Sequence, residues 1–216
     1  MKNIIKILSV ATAVFAFASC ETYKVAEPDM TAVCNVDGSY VCFAYANESS
    51  AEPVALLYTV ITNTTSNEDN RVWITVVDYD RSCNYFRSIG KASRNGLQYP
   101  SATRFPASYD AGTNSFSATN VAAEWPATAY SPLVEQYYYT LEKQFKPCNY
   151  KVSCSGKVVV NGVNTKTGYK TDGISFNYTR DNGDGTTDTY YVSGMKNTGW
   201  GEDVADYAEY IDNNLY

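Results

Sequence analysis

The residue whose neighbours most narrowly define a chemistry is Cys20. It closes the stretch Phe17-Ala18-Ser19-Cys20, in which two small residues precede a thiol. Such a stretch is a lipobox: the small side chains admit a signal peptidase that cuts before the cysteine, and the thiol carries a diacylglycerol through a thioether. The flanks agree. Lys2 and Lys6 give a positive start, and Ile7 to Ser19 is apolar or small throughout. That run is shorter than the roughly 20 residues of a membrane span and fits the roughly 7–15 of a signal h-region. The competing reading is an ordinary secretory signal with an incidental cysteine. Several acyl tails, at about 0.8 kcal/mol per buried CH₂, would hold the protein on a membrane without a protein span.

Other residues that could do chemistry point less far. The chain contains no histidine, which removes the commonest metal ligand and the commonest general base together. A Ser-His-Asp hydrolase is thereby excluded, and a cysteine nucleophile lacks its usual base. The turn Asp181-Asn182-Gly183-Asp184-Gly185 invites a calcium reading, but aligning it on a calcium loop puts Arg180 at the first ligand position and Tyr191 at the twelfth. A cation there opposes calcium, so the turn reading is preferred and no metal is expected. Glu68, Asp69, Asp78, Asp80, Glu202 and Asp203 could pair for glycoside chemistry, yet they fall in loops or at element ends and read as solvated surface acids. No catalytic residue and no cofactor is assigned.

Five cysteines follow Cys20: Cys34, Cys42, Cys83, Cys148 and Cys154. The number is odd, and no CxxC occurs, so neither a zinc knuckle nor a thioredoxin-type motif is supported. Buried free thiols are the plain reading, although an exported location permits disulfides. Two of the 17 basic residues lie in the signal, so the mature chain carries 15 against 23 acidic ones, near −8. That balance is a poor match for nucleic acid. Tyrosine is the compositional outlier, with 20 residues. Its ring suits surfaces that are apolar on one side and wet on the other, and it also favours strands.

The elements that must position these groups are mostly strands. Residues 1–19 are the signal, 20–36 a tether carrying Pro28, and 37–216 one domain. Tyr40 to Tyr45 is a strand; Val54 to Thr62 and Arg71 to Asp80 form a hairpin across a polar connector. Residues 81–113 are punctuated by Gly and Pro; short strands are expected there, without defined borders. Residues 114–121 are a further strand, and 134–145 are ambiguous between helix and strand. The run from Asn149 alternates and ends at Asn161-Gly162. In Gly173 to Arg180, Ile174, Phe176 and Tyr178 share one face; residues 188–193 return as their partner across Asn182–Gly185. After Trp200, a helix from about Glu202 to Asn213 carries an apolar stripe of Val204, Tyr207, Ala208, Ile211 and Leu215. Too short to be stable alone, it must dock on the wall or one mouth of the remaining structure. Many short strands in meander order predict an antiparallel all-β barrel, since closure removes exposed edges.

The C-terminal third resembles a lipid-binding, calycin-like lipoprotein family of Bacteroidota. The resemblance rests on Gly156-Lys157, Asn161-Gly162, Thr165 to Gly168, Ile174-Phe176-Tyr178, then Gly194, Lys196 and Thr198-Gly199-Trp200. The opening DGSYVCFAY and the RVWI strand match more loosely. Members often carry histidine at the position of Met195, which this chain lacks, and residues 81–135 are longer than the family leads one to expect. The resemblance implies a calycin or lipocalin-like barrel with a short C-terminal helix, anchored through Cys20 in the bacterial cell envelope, with an outer-membrane location expected. It also implies a lipid-like, hydrophobic or amphipathic small molecule in the barrel. Trp73, Phe176, Tyr178 and Tyr190, the bulky strand aromatics, are the candidate lining residues. The rival reading is a cell-envelope interaction or adhesion module with a filled barrel and its tyrosines on an outer face. A hydrolase, the other label attached to the family, finds no nucleophile–base pair here.

Overall fold

The computed structural model describes residues 30–78, 102–123, 150–183 and 185–215. The barrel lies within the compact unit Thr31–Tyr216. Among the described residues, eight strands close on themselves in chain order: β1 (Gly38–Tyr45), β2 (Pro53–Asn63), β3 (Arg71–Asp78), β4 (Ala102–Asp110), β5 (Ser115–Ala122), β6 (Lys151–Asn164), β7 (Lys170–Asp181) and β8 (Thr187–Lys196). Every neighbouring pair is antiparallel, and β1 pairs with β8 to complete the ring. One helix, α1 (Ala205–Leu215), follows. The expected all-β calycin-like barrel with a terminal helix is therefore the fold.

Alternation sets the two faces of each strand. Tyr40, Cys42 and Ala44 of β1 point inward, as do Leu57, Thr59 and Ile61 of β2 and Val72, Ile74 and Val76 of β3. Phe105, Phe116, Val152, Cys154, Ile174, Phe176 and Val192 complete one continuous core. The predicted hairpin is present: Phe176 pairs with Val192 and Tyr178 with Tyr190, and Ile174, Phe176 and Tyr178 are all buried.

Two sequence expectations shift. Asn161-Gly162 does not end its strand. Asn161 takes a φ of 53° and its N–H donates to Asp172 Oδ1 at 2.9 Å, forming a bulge between Val159 and Val163, after which pairing with β7 resumes. The turn comes later, at 165–169, because a bulge needs the same left-handed residue that a hairpin turn does. In the unassigned middle, β4 contains Pro106, a residue that argues against a central strand. Pro106 is tolerated because β4 pairs with β5 only over Ser108–Asp110, so it sits where the strand has a ladder on one side alone. The ambiguous segment 134–145 lies outside the described residues.

The barrel's two ends differ. At the end bearing Gly38, Lys170 and Lys196, residues 31–36 of the expected tether turn inward instead. Val33 and Val36 are fully buried in the core, and the Tyr40 hydroxyl donates to the Val36 carbonyl at 2.8 Å. Ala32 N–H is held by Asn67 Oδ1 in the β2–β3 turn. We call this the plugged end. The opposite, loop end carries the turns between β1 and β2 and between β7 and β8 and the ends of β3 to β6 at Asp78, Ala102, Ala122 and Lys151.

α1 docks on the wall rather than over a mouth. Phe43 faces outward from β1 and stacks on Tyr207, ring centroids 4.4 Å apart, with Tyr210 edge-on at 5.6 Å. Leu56, directly across from Phe43 on β2, faces the same way yet is buried. Tyr207 and Ile211 of the expected stripe are half-buried, whereas Ala208 is exposed. Burial holds the Tyr207 phenol well above its ordinary range, with Cys42, Tyr45 and Asp206 adding to the shift.

Candidate functional site

The interior carries the sequence's candidate residues unequally. Phe176 and Tyr178 lie inside, where Phe176 meets Phe116 edge-on at 5.7 Å and Tyr178 at 6.4 Å, and Tyr178 meets Phe105 at 6.2 Å. These distances are those of mutually packed rings, so the middle of the barrel is filled by its own aromatic side chains. Tyr190, beside Tyr178 on β8, is half-buried against that cluster. Trp73 is not with them. It stands on the outer face, with the Arg104 guanidinium 4.3 Å from its ring centroid. The reason is the phase of β3: branched aliphatics at Val72, Ile74 and Val76 fill the interior, which sends the intervening positions out. Cys20 lies outside the described residues.

Two glycines let neighbouring strands approach closely, and one of them lies against the aromatic cluster. At Gly156 a Cβ would fall 2.2 Å from the Phe176 Cβ and 2.3 Å from the Ser175 carbonyl; at Gly194 it would fall 2.2 Å from the Val41 carbonyl. Both positions face neighbours too close for any side chain.

Above the aromatic layer, toward the loop end, is a buried charge that sequence reading missed. Arg180 is 3% exposed. Its Nε donates to Asn182 Oδ1 at 2.8 Å, one terminal nitrogen to the Thr103 hydroxyl at 3.1 Å, and the other to Asp188 Oδ2 at 2.6 Å. The guanidinium also lies 4.7 Å from the centroid of the Tyr150 ring. Burial opposes the charge, but Tyr178, Tyr150 and Asp188 more than offset it, and the Arg180 pKa is raised. Asn182 is the hub of the turn: its side-chain amide donates to Thr186 and Asp188. The signal for this cluster was present in the alternation. Ile174, Phe176 and Tyr178 lead by steps of two to Arg180, and Asp188 stands directly opposite it. The face thus grades from aromatic to charged.

A second missed residue is Asp203. Read from the sequence as a solvated surface acid, it lies before α1 and is 4% exposed. It accepts the Thr167 N–H and hydroxyl, both at 2.9 Å, and the Thr198 hydroxyl at 2.8 Å. Burial raises its pKa, but the Thr167 N–H and the hydroxyls of Thr198, Thr167 and Thr165 outweigh it and hold the carboxyl below the usual range. A carboxyl depressed in the folded state contributes stability above its unfolded pKa of about 4 and loses it as pH falls through the lower folded value. Asp203→Asn is therefore expected to melt below wild type at pH 7, with the gap closing as pH is lowered under about 4. Melting curves from pH 7 to pH 2 check this; a gap independent of pH would refute the charge-based account.

The interior thiols are inert. Cys42 and Cys154 are free and buried, and burial pushes both up to about 12, so neither is a thiolate at neutral pH. Among the described residues, no group of three or more Cys, Asp and Glu side chains is placed to hold a metal.

Comparison with known proteins agrees with this geometry. Residues 25–201 match the family described as "Lipid-binding putative hydrolase". The chain belongs to this family. The match spans all eight strands and ends before α1. The residues on which the sequence resemblance rests have physical roles: Gly156 and Gly194 admit close backbones, while the Thr165–Gly168 and Thr198–Trp200 stretches meet at Asp203. Among solved structures, a structural-genomics protein of unknown function from Bacteroides ovatus is 14% identical, with a TM-score of 0.32. The alignment covers 76% of this chain and 42% of that one, so this chain spans about two-fifths of its length. Among curated proteins none matches the sequence.

Proposed function

We propose that this family member is a cell-envelope lipoprotein, anchored through Cys20 in the outer membrane, that binds a lipid-like amphiphile at the loop end of its barrel. The observation that carries the reading is the inward face of β7 and β8. It runs from Phe176 through Tyr178 and Tyr190 to Arg180 and Asp188, so apolar and polar surface meet at one level. An amphiphile needs that gradient, and membership of a lipid-binding family supports it. Val33 and Val36 fill the plugged end, so the proposal puts entry at the opposite end, beside Tyr190 and Asp188. Binding rather than hydrolysis is favoured because the chain has no histidine and its described interior thiols are neutral.

The packed middle of the barrel favours one second reading, an envelope interaction module whose interior is structural. Uptake of a fluorescent fatty acid separates the two. Wild type is expected to take up the probe, and Tyr178→Phe to weaken uptake with a melting temperature near wild type. Absence of uptake by wild type would overturn the binding reading in favour of the interaction module.

A further inference from the structure

Among the described residues, four of the six large apolar side chains that remain exposed lie toward the plugged end, while Val54 is at the other end, at the start of β2. Tyr169 is 72% exposed, Trp200 61%, and Val159 and Val160 each 47%. The valines lie where the β6–β7 hairpin runs past the start of β5, beyond the pairing of Lys157 with Ser115. Tyr169 lies at the tip of that hairpin, and Trp200 in the turn after β8.

The turns that carry these two exposed aromatics are fixed. Asp203 binds Thr167, two residues before Tyr169, and Thr198, two residues before Trp200. Thr165 receives the Tyr169 N–H on its hydroxyl at 3.1 Å and donates its own N–H to the Tyr169 carbonyl at 2.8 Å. Lys166 on the hairpin is ion-paired to Asp206 of α1. One buried carboxylate and one ion pair thus fix two separate turns side by side, each presenting a ring to solvent. Ordering exposed aromatics in this way costs conformational freedom without burying them, and the arrangement is accounted for if something apolar covers them.

We propose that this tip docks on the bilayer surface to which Cys20 is attached. The inference rests on the lipid-anchor reading above. Thr31, where the folded unit begins, is at the same end of the barrel, eleven residues after Cys20. A chain of that length spans roughly 40 Å at most, so an anchored Cys20 keeps the plugged end near the membrane. Tyr and Trp favour the headgroup level, where one edge of the ring is wet and the rest apolar. The tip carries charge of both signs, with exposed Lys157 and Lys170 on β6 and β7, exposed Glu202 after β8, and Lys166 already paired with Asp206, so the proposal does not call for an anionic lipid. Docked this way, the barrel points its loop end, with Arg180 and Tyr190, away from the bilayer.

The test uses the full lipidated chain reconstituted in phosphatidylcholine vesicles with and without brominated acyl chains. Quenching of tryptophan fluorescence is expected in wild type. Most of it should be lost in Trp200→Phe, with both proteins compared in a Trp125→Phe background that removes the third tryptophan, since Trp73 is on the barrel wall beneath Arg104. Tyr169→Ser should reduce it, and both variants should melt like wild type because the side chains are exposed. Protein that carries acyl mass on Cys20 and floats with vesicles, yet shows no Trp200-dependent quenching, overturns docking and leaves the anchor standing. Trp200-dependent quenching without acyl mass on Cys20 supports docking and overturns the anchor. Loss of both overturns both. Self-association abolished by Trp200→Phe, with no quenching, would assign the tip to a second copy of the chain and overturn the membrane as its occupant.

Discussion

Replacing Asp188 by alanine is expected to destabilise the protein by about 3–5 kcal/mol, the range for removing one partner of a buried ion pair. The Arg180 side chain is 4% exposed, and its only described carboxylate is Asp188, 2.6 Å away and itself 17% exposed. Without it the guanidinium keeps Asn182 and Thr103 but loses its counter-charge. Desolvation then loses its one carboxylate partner, and the neighbouring tyrosines and neutral dipoles do not substitute for a carboxylate. Replacing both residues together, as Arg180→Met with Asp188→Leu, should recover most of the loss, since an apolar pair of similar volume avoids burying charge at all. Urea denaturation of the two variants checks this. A double variant as unstable as the single one would mean that the turn 181–187, rather than the charge pair, was the target of both substitutions.

Gly156→Ala is expected to cost at least the upper end of the roughly 1–3 kcal/mol typical of overpacking. The added methyl would fall 2.2 Å from the Phe176 Cβ and 2.3 Å from the Ser175 carbonyl. Neither is the far end of a flexible side chain, so relief requires β6 and β7 to move apart, against the ladder that joins them from Lys151 to Asn164. Trimming the ring should not rescue the variant, because Phe176→Leu leaves the Cβ and the carbonyl in place. Thermal melts of Gly156→Ala alone and combined with Phe176→Leu test the point. Recovery in the double variant would show that ring crowding, not backbone approach, makes glycine necessary there.

The sequence by itself determined the class of the molecule and much of its local order. Short alternating runs with Gly and Asn punctuation specify antiparallel strands, because period two is a local property of the chain. The β7–β8 hairpin was legible for that reason, with Ile174, Phe176 and Tyr178 on one face. So was the need for α1 to find an apolar partner, and the histidine-free composition that removes the usual hydrolytic machinery. What alternation cannot say is which face is inside. Closure of eight strands decided that, and it put Trp73 on the outer wall while carrying Arg180, in phase with Phe176 and Tyr178, into the core. Asn161 illustrates the same limit, since one left-handed residue serves a bulge or a turn and only the continued pairing of Val163 with Thr171 selects the bulge. Asp203 was beyond local reading altogether: its main partner, Thr167, is 36 residues away. A carboxylate at an element's end looks like a solvated surface acid until the fold brings a distant hairpin to it, and only tertiary structure reports who meets whom across such a distance.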